Sequence, residues 1–79
     1  MTNLEKYNNA FAQALDIKIV EVNDTLEYQG ISAWDSIGHM GLISELEEAF
    51  DIMFETDDIV DFSSYKIGIE ILRKYNIEI

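Results

Sequence analysis

The chain contains no cysteine and no proline, and only four glycines among its 79 residues. The absence of Cys excludes disulfides, a thiolate nucleophile and any Cys-based metal site. It is compatible with a reducing compartment, and a cytoplasmic location is the expectation. With no Pro and little Gly, nothing marks a linker or a low-complexity segment, so one domain over residues 1–79 is expected. Hydrophobic residues make up 48% of the chain, the composition of a folded protein. No apolar run approaches the ~20 residues of a membrane span. Met1-Thr2-Asn3-Leu4-Glu5 lacks the basic start of a secretory leader, so none is expected. Basic residues are scarce as well: five Lys and Arg stand against sixteen Asp and Glu, a net charge of −11. Such a chain is repelled by nucleic acid and by anionic membranes, and its partners should carry basic patches. The stretch from Glu45 to Asp61 holds eight acids and no Lys or Arg.

Thr2-x-x-Glu5 reads as a capping box opening a first helix that ends near Asp16. Leu4, Tyr7, Phe11, Ala14 and Leu15 form its apolar stripe. Residues 17–34 read as a long connection with turn signals at Asn23-Asp24 and Gln29-Gly30. Ile17, Ile19, Leu26, Tyr28, Ile31 and Trp34 are its apolar anchors, and a connection this long needs them. A second helix starts at Asp35-Ser36 and runs to about Phe50. Its core arc comprises His39, Leu42, Ile43, Leu46, Ala49 and Phe50. Thr56-Asp57-Asp58 opens a short third helix carrying Ile59 and Phe62, with acids at the positive end of its dipole. Ser63 or Ser64 caps a last helix with Tyr65, Gly68, Ile69, Leu72 and Tyr75 on one stripe and Arg73 and Lys74 in its last turn. Lys66 to Ile71 also alternates like a strand, but the cap, the charges and the longer stripe favour helix. The expected fold is all-α, a small four-helix bundle with a long first loop and a short third helix.

The face of the second helix opposite the core arc carries Ser36, Ile37, Met40, Gly41, Ser44, Glu47 and Glu48. It combines an apolar patch, a negative rim and a serine at a helix start. Periodicity alone makes this an ordinary solvated face. The run Trp34-Asp35-Ser36-Ile37-Gly38-His39-Met40, followed by Leu42-Ile43, Leu46-Glu47-Glu48-Ala49-Phe50 and Ile52, resembles the acyl carrier protein signature. The resemblance spans the whole chain: length, helix order, long first loop and acidic middle. It implies a carrier-like fold and a phosphopantetheine arm on Ser36, attached from coenzyme A by a phosphopantetheinyl transferase. The arm's thiol would carry acyl groups as thioesters, as in fatty-acid or polyketide synthesis. Loading and acyl-transferring enzymes with basic docking patches would then be the partners. Asp35 belongs to the same motif. It can cap the helix by accepting from the backbone N–H of Ile37 or Gly38, which leaves the Ser36 hydroxyl free. A phosphodiester at Ser36 would lie at the positive end of the helix. Ile37, Met40, Gly41, Ser44, Glu47 and Glu48 form the implied partner-binding face.

Some positions depart from the family pattern. Ile37 replaces the commoner Leu, Gly38 replaces a frequent acid, and Glu55-Thr56 stand where many members have Pro-Asp. Trp34 with Gly38-His39 is similar to free-standing carriers of specialised pathways. An aminoacyl or peptidyl carrier is an alternative, although no Leu-Gly-Gly-x-Ser-like motif is present. A carrier-like interaction module without an arm is another. A Ser36–His39 hydrolase lacks the nucleophile elbow and any oxyanion loop. No catalytic residue is expected, and the chain reads as a substrate of other enzymes. Asp57, Asp58 and Asp61 lack the spacing and Gly of a calcium loop, so no metal is expected. Nothing signals oligomerisation, and a monomer is the default.

Overall fold

Local backbone chemistry decides where each helix begins and ends. In the computed structural model, which describes residues 1–79, α1 spans Asn3–Leu15, α2 Ser36–Phe50, α3 Thr56–Asp61 and α4 Tyr65–Lys74. A single 3-10 turn at Ile19–Glu21 interrupts the long connection, and there is no strand. The Thr2 hydroxyl accepts from Glu5 N–H (3.1 Å) while Thr2 N–H donates to the Glu5 carboxylate (2.9 Å), completing the capping box. Asp35 caps α2 and Ser64 caps α4. The alternating Lys66–Ile71 segment is helical, within α4.

Three helices end in the same way without glycine. Asp16, Asp51 and Asn76 adopt left-handed backbone (φ 52°, 53° and 65°), a region that Asp and Asn enter more readily than other residues. Each is followed by an isoleucine whose N–H reaches back into the last turn. Ile17 donates to the Ala12 carbonyl, Ile52 to Glu47 and Ile77 to Leu72, all at 3.1 Å. All three isoleucines pack at the edge of the core. This is a Schellman-type end with its usual apolar contact.

The core is one cluster in which Tyr7, Phe11, Trp34, Leu42, Leu46, Phe62 and Leu72 are fully buried. Several sequence-based placements need correction. Leu4, in the first turn of α1, is 45% exposed, whereas Ala10 is buried. On α2, Ala49 is exposed and Phe50 is half-buried. On α4, Ile71 is buried beside Leu72. In the long connection, Ile19 and Tyr28 are exposed, whereas Leu26 and Trp34 are buried. That connection is held by main chain as well as by side chains. Tyr28 N–H donates to the Ser63 carbonyl (2.8 Å) and Tyr65 N–H to the Leu26 carbonyl (2.9 Å). This antiparallel bridge stitches the loop to the entry of α4.

Asp58 is the one buried charged side chain, 6% exposed. Its carboxylate accepts from Lys74 Nζ and from the Tyr75 hydroxyl, both at 2.6 Å. The Tyr75 oxygen in turn accepts from Glu55 N–H (2.8 Å). The first turn of α3 is thereby tied to the end of α4. Lys74, and then Tyr75, hold the Asp58 carboxyl below the usual carboxylate range. Tyr7, also in the core, donates its hydroxyl hydrogen to the Tyr65 carbonyl (2.6 Å), and burial raises its phenol well above the ordinary value.

Leu46→Ala should destabilise the fold by about 2–5 kcal/mol, read as a shifted urea midpoint. Asp58 has a depressed folded pKa, so its stabilisation is present above the ordinary value of 3.8 and disappears as pH falls through the folded value. Thermal melts of the parent and Asp58→Asn should therefore differ most near neutral pH, parent higher, and converge in acid.

Candidate functional site

The site is built on the first turn of α2. Asp35 stands just outside the helix with extended backbone, and its Oδ1 accepts from Gly38 N–H at 2.8 Å. The cap is therefore supplied by Asp35 and not by Ser36. The Ser36 side chain is exposed and makes no hydrogen bond within the protein. The backbone N–H groups of Ser36 and Ile37 have no protein acceptor, as the first N–H groups of a helix lack an intrahelical one. A free hydroxyl thus sits beside unpartnered donors at the positive end of a 15-residue helix.

Gly38 has a packing reason. A Cβ there would collide with the carbonyl oxygen of Ala33 and crowd the Leu15 side chain. The residue that replaces a frequent acid of the resembled family is thus the one that lets the loop pass close against the helix.

Trp34 and His39 fix this corner. The buried Trp34 donates its indole N–H to His39 Nδ1 (3.0 Å), the two rings lying 20° from parallel. Indole nitrogen only donates. Nδ1 is therefore the acceptor, and Nε2 carries the proton that goes to the Ile59 carbonyl (2.8 Å). Both ring nitrogens are committed, and neither is directed at Ser36. His39 links the start of α2 to α3.

Of the remaining motif residues, Ile37 is 82% exposed and Met40 55% exposed, with Ser44 and Glu48 also on the surface. Two others lie differently from the wheel-based placement. Gly41 is half-buried, and its missing side chain points towards Ala14 of α1. Glu47 is half-buried because its Oε2 accepts from Phe54 N–H (2.9 Å), steadying the turn between α2 and α3. The free acids of this helix are Glu45 and Glu48, and neither is ion-paired, since the two salt bridges are Lys66–Asp24 and Lys74–Asp58. Asp58 turns inward, so Asp57, Asp58 and Asp61 do not converge on a common point, and no group of acids and His has the arrangement of a metal site. No helix is long and apolar enough to cross a membrane.

The sequence reading missed a shallow notch beside this turn. It is lined by Tyr28, His39, Ile59, Val60, Phe62 and Ser63, with a volume of about 220 Å³. Val60 projects from α3 with 74% of its surface exposed. Nothing in local periodicity marks these residues as neighbours. The loop-to-α4 bridge and the His39–Ile59 bond bring them together.

No protein-family model, no curated protein and no solved structure matches this chain.

The division of labour between Asp35 and Ser36 is measurable. Asp35→Ala should cost about 1 kcal/mol through loss of the cap, while Ser36→Ala should leave the urea midpoint nearly unchanged. The reverse order would make Ser36 the cap.

Proposed function

We infer that this chain is an acyl carrier whose Ser36 hydroxyl receives a phosphopantetheine arm. The observation that carries the reading is the capping arrangement. Asp35 accepts from Gly38 N–H, so the adjacent serine hydroxyl is exposed and unengaged. The residues fit the group. Ser36 Oγ is free to bond to phosphorus, and the unpartnered N–H groups of Ser36 and Ile37 favour the phosphodiester charge. In the transfer, Ser36 Oγ forms the new P–O bond, the pyrophosphate P–O bond of coenzyme A breaks, and adenosine bisphosphate leaves. The serine proton goes to a base of the transferase. Once attached, the arm supplies the thiol that this Cys-free chain lacks, and acyl groups are held on it as thioesters. The helix order, the long first loop and the short third helix agree with the carrier-like arrangement that the signature implies.

Partner enzymes dock on the exposed side of α2. Ile37 and Met40 provide apolar contact, Ser44 lies beside them, and Glu48 provides unpaired negative charge. Glu47 serves the α2–α3 turn and contributes through its charge alone, while Gly41 lies at the margin. Exposed charge pairs are screened over ~8 Å at physiological salt, which suits contacts that must form and break quickly. The protein itself supplies no base or oxyanion hole and acts as the substrate that other enzymes handle.

Incubation with coenzyme A and a broad-specificity phosphopantetheinyl transferase should add the mass of one phosphopantetheine to the parent and none to Ser36→Ala. Loading should slow as salt is raised. A folded, unmodified parent that gains no mass would leave an armless interaction module in its place.

A further inference from the structure

An apolar group tethered at Ser36 would leave water for any apolar cavity within reach, because burial of such surface is favourable wherever room exists. The packing around α2 therefore bears on the cargo. The notch beside the first turn holds about 220 Å³. At ~30 Å³ for each water-sized group, that is room for about seven. Its inner wall includes Phe62, which is fully buried and backed by other rings. Phe62 lies 6.2 Å from Phe11, 6.3 Å from Trp34 and 6.2 Å from Phe54, centroid to centroid. Phe11 in turn lies 5.2 Å from Trp34 and 5.1 Å from Tyr7. A long alkyl chain could pass between α2 and α3 only by displacing this aromatic packing and breaking the Trp34–His39–Ile59 hydrogen bonds that join the two helices. Interiors packed in this way have few voids to spare.

The two other cavities offer no better refuge. One lies at the C-terminal end, beside Arg73, Asn76 and Glu78, and the other beside Lys6, Gln13 and Glu45. Neither contains a residue of the first turn of α2, whereas the notch is lined by His39 of that turn. The notch itself has a polar mouth. The Tyr28 and Ser63 hydroxyls have no partner within the protein and remain in contact with solvent.

We propose that the cargo of this carrier is a short acyl group bearing a hydroxyl or similar polar substituent, held at the mouth of the notch, and not a long alkyl chain buried between the helices. This rests on the carrier reading above. The test uses the full chain loaded at Ser36 with acetyl, butyryl, hydroxybutyryl, octanoyl and hexadecanoyl pantetheine from the matching coenzyme A thioesters, each confirmed by intact mass. Thermal midpoints should not rise with chain length. Hydroxylamine should cleave the acetyl and octanoyl thioesters at rates within about two-fold of each other, since neither is buried. Amide signals of Tyr28 and Ser63 should move more with hydroxybutyryl than with butyryl. A midpoint that climbs from butyryl to hexadecanoyl, together with a protected octanoyl thioester, would overturn the proposal. Equal shifts for the two four-carbon groups would overturn its polar part. A chain that takes no arm overturns the carrier reading as well, and the mass spectrum reveals this before any length series is compared.

Discussion

The burial of Trp34 is the constraint on which the rest of this structure depends. It is the largest fully buried side chain, and it sits in the loop immediately before Asp35. Its backbone N–H goes to the Ile31 carbonyl and its own carbonyl accepts from Gln29 N–H, closing the end of the loop on itself. Its ring packs edge-on against Phe11 of α1, and its indole N–H reaches His39 of α2. A buried indole N–H needs an acceptor. Here that acceptor is a histidine whose other nitrogen reaches α3. One side chain thus fixes the loop, the start of α2 and the position of α3. Asp35 and Ser36 are held at the mouth of the helix as a consequence.

The chain lacks the residues that usually shape loops and helix ends, and it solves the resulting problems with acids. Asp16 and Asp51 take the left-handed positions that glycine commonly fills. Each places a carboxylate at the negative end of a helix dipole, an unfavourable position. The apolar anchoring of Ile17 and Ile52 compensates. Asp58 is buried but has two donors, so its charge is paired and hydrogen-bonded, as a buried carboxylate requires. The remaining acids are left largely unpaired on the surface, including those along α2. A surface so rich in unpaired negative charge suits brief contact with basic partners and disfavours self-association.

The candidate site and the core were legible to different degrees. The helix starts could be read because capping is local: Thr2, Asp35 and Ser64 each act within three residues of their own position. Leu42, Ile43 and Leu46 could be read because α2 is long enough for its period to be unambiguous. A helical stripe misplaces Leu4 and Ala49, because it says which residues share a face but not how far the neighbouring element extends along it. The three Asp/Asn–Ile helix ends were present in the sequence as a recurring pair, at 16–17, 51–52 and 76–77, although glycine is the usual signal. A helical wheel puts Gly41 and Glu47 on the exposed face of α2. Contacts with Ala14 and with the Phe54 backbone draw both inward.

The sequence by itself determined the helical class, each helix start to within a residue, the negative surface and the Asp-Ser pair, because all of these follow from composition, short-range hydrogen bonding and the 3.6-residue period. Only the tertiary structure decided that Asp58 is buried, that His39 bridges two helices, and that a small notch lies beside the first turn of α2. Those features join residues 16 positions or more apart: Asp58 to Lys74, His39 to Ile59, Tyr28 to Ser63. Their contact depends on how the loop and the helices close around Trp34, and no local pattern in the chain encodes that closure.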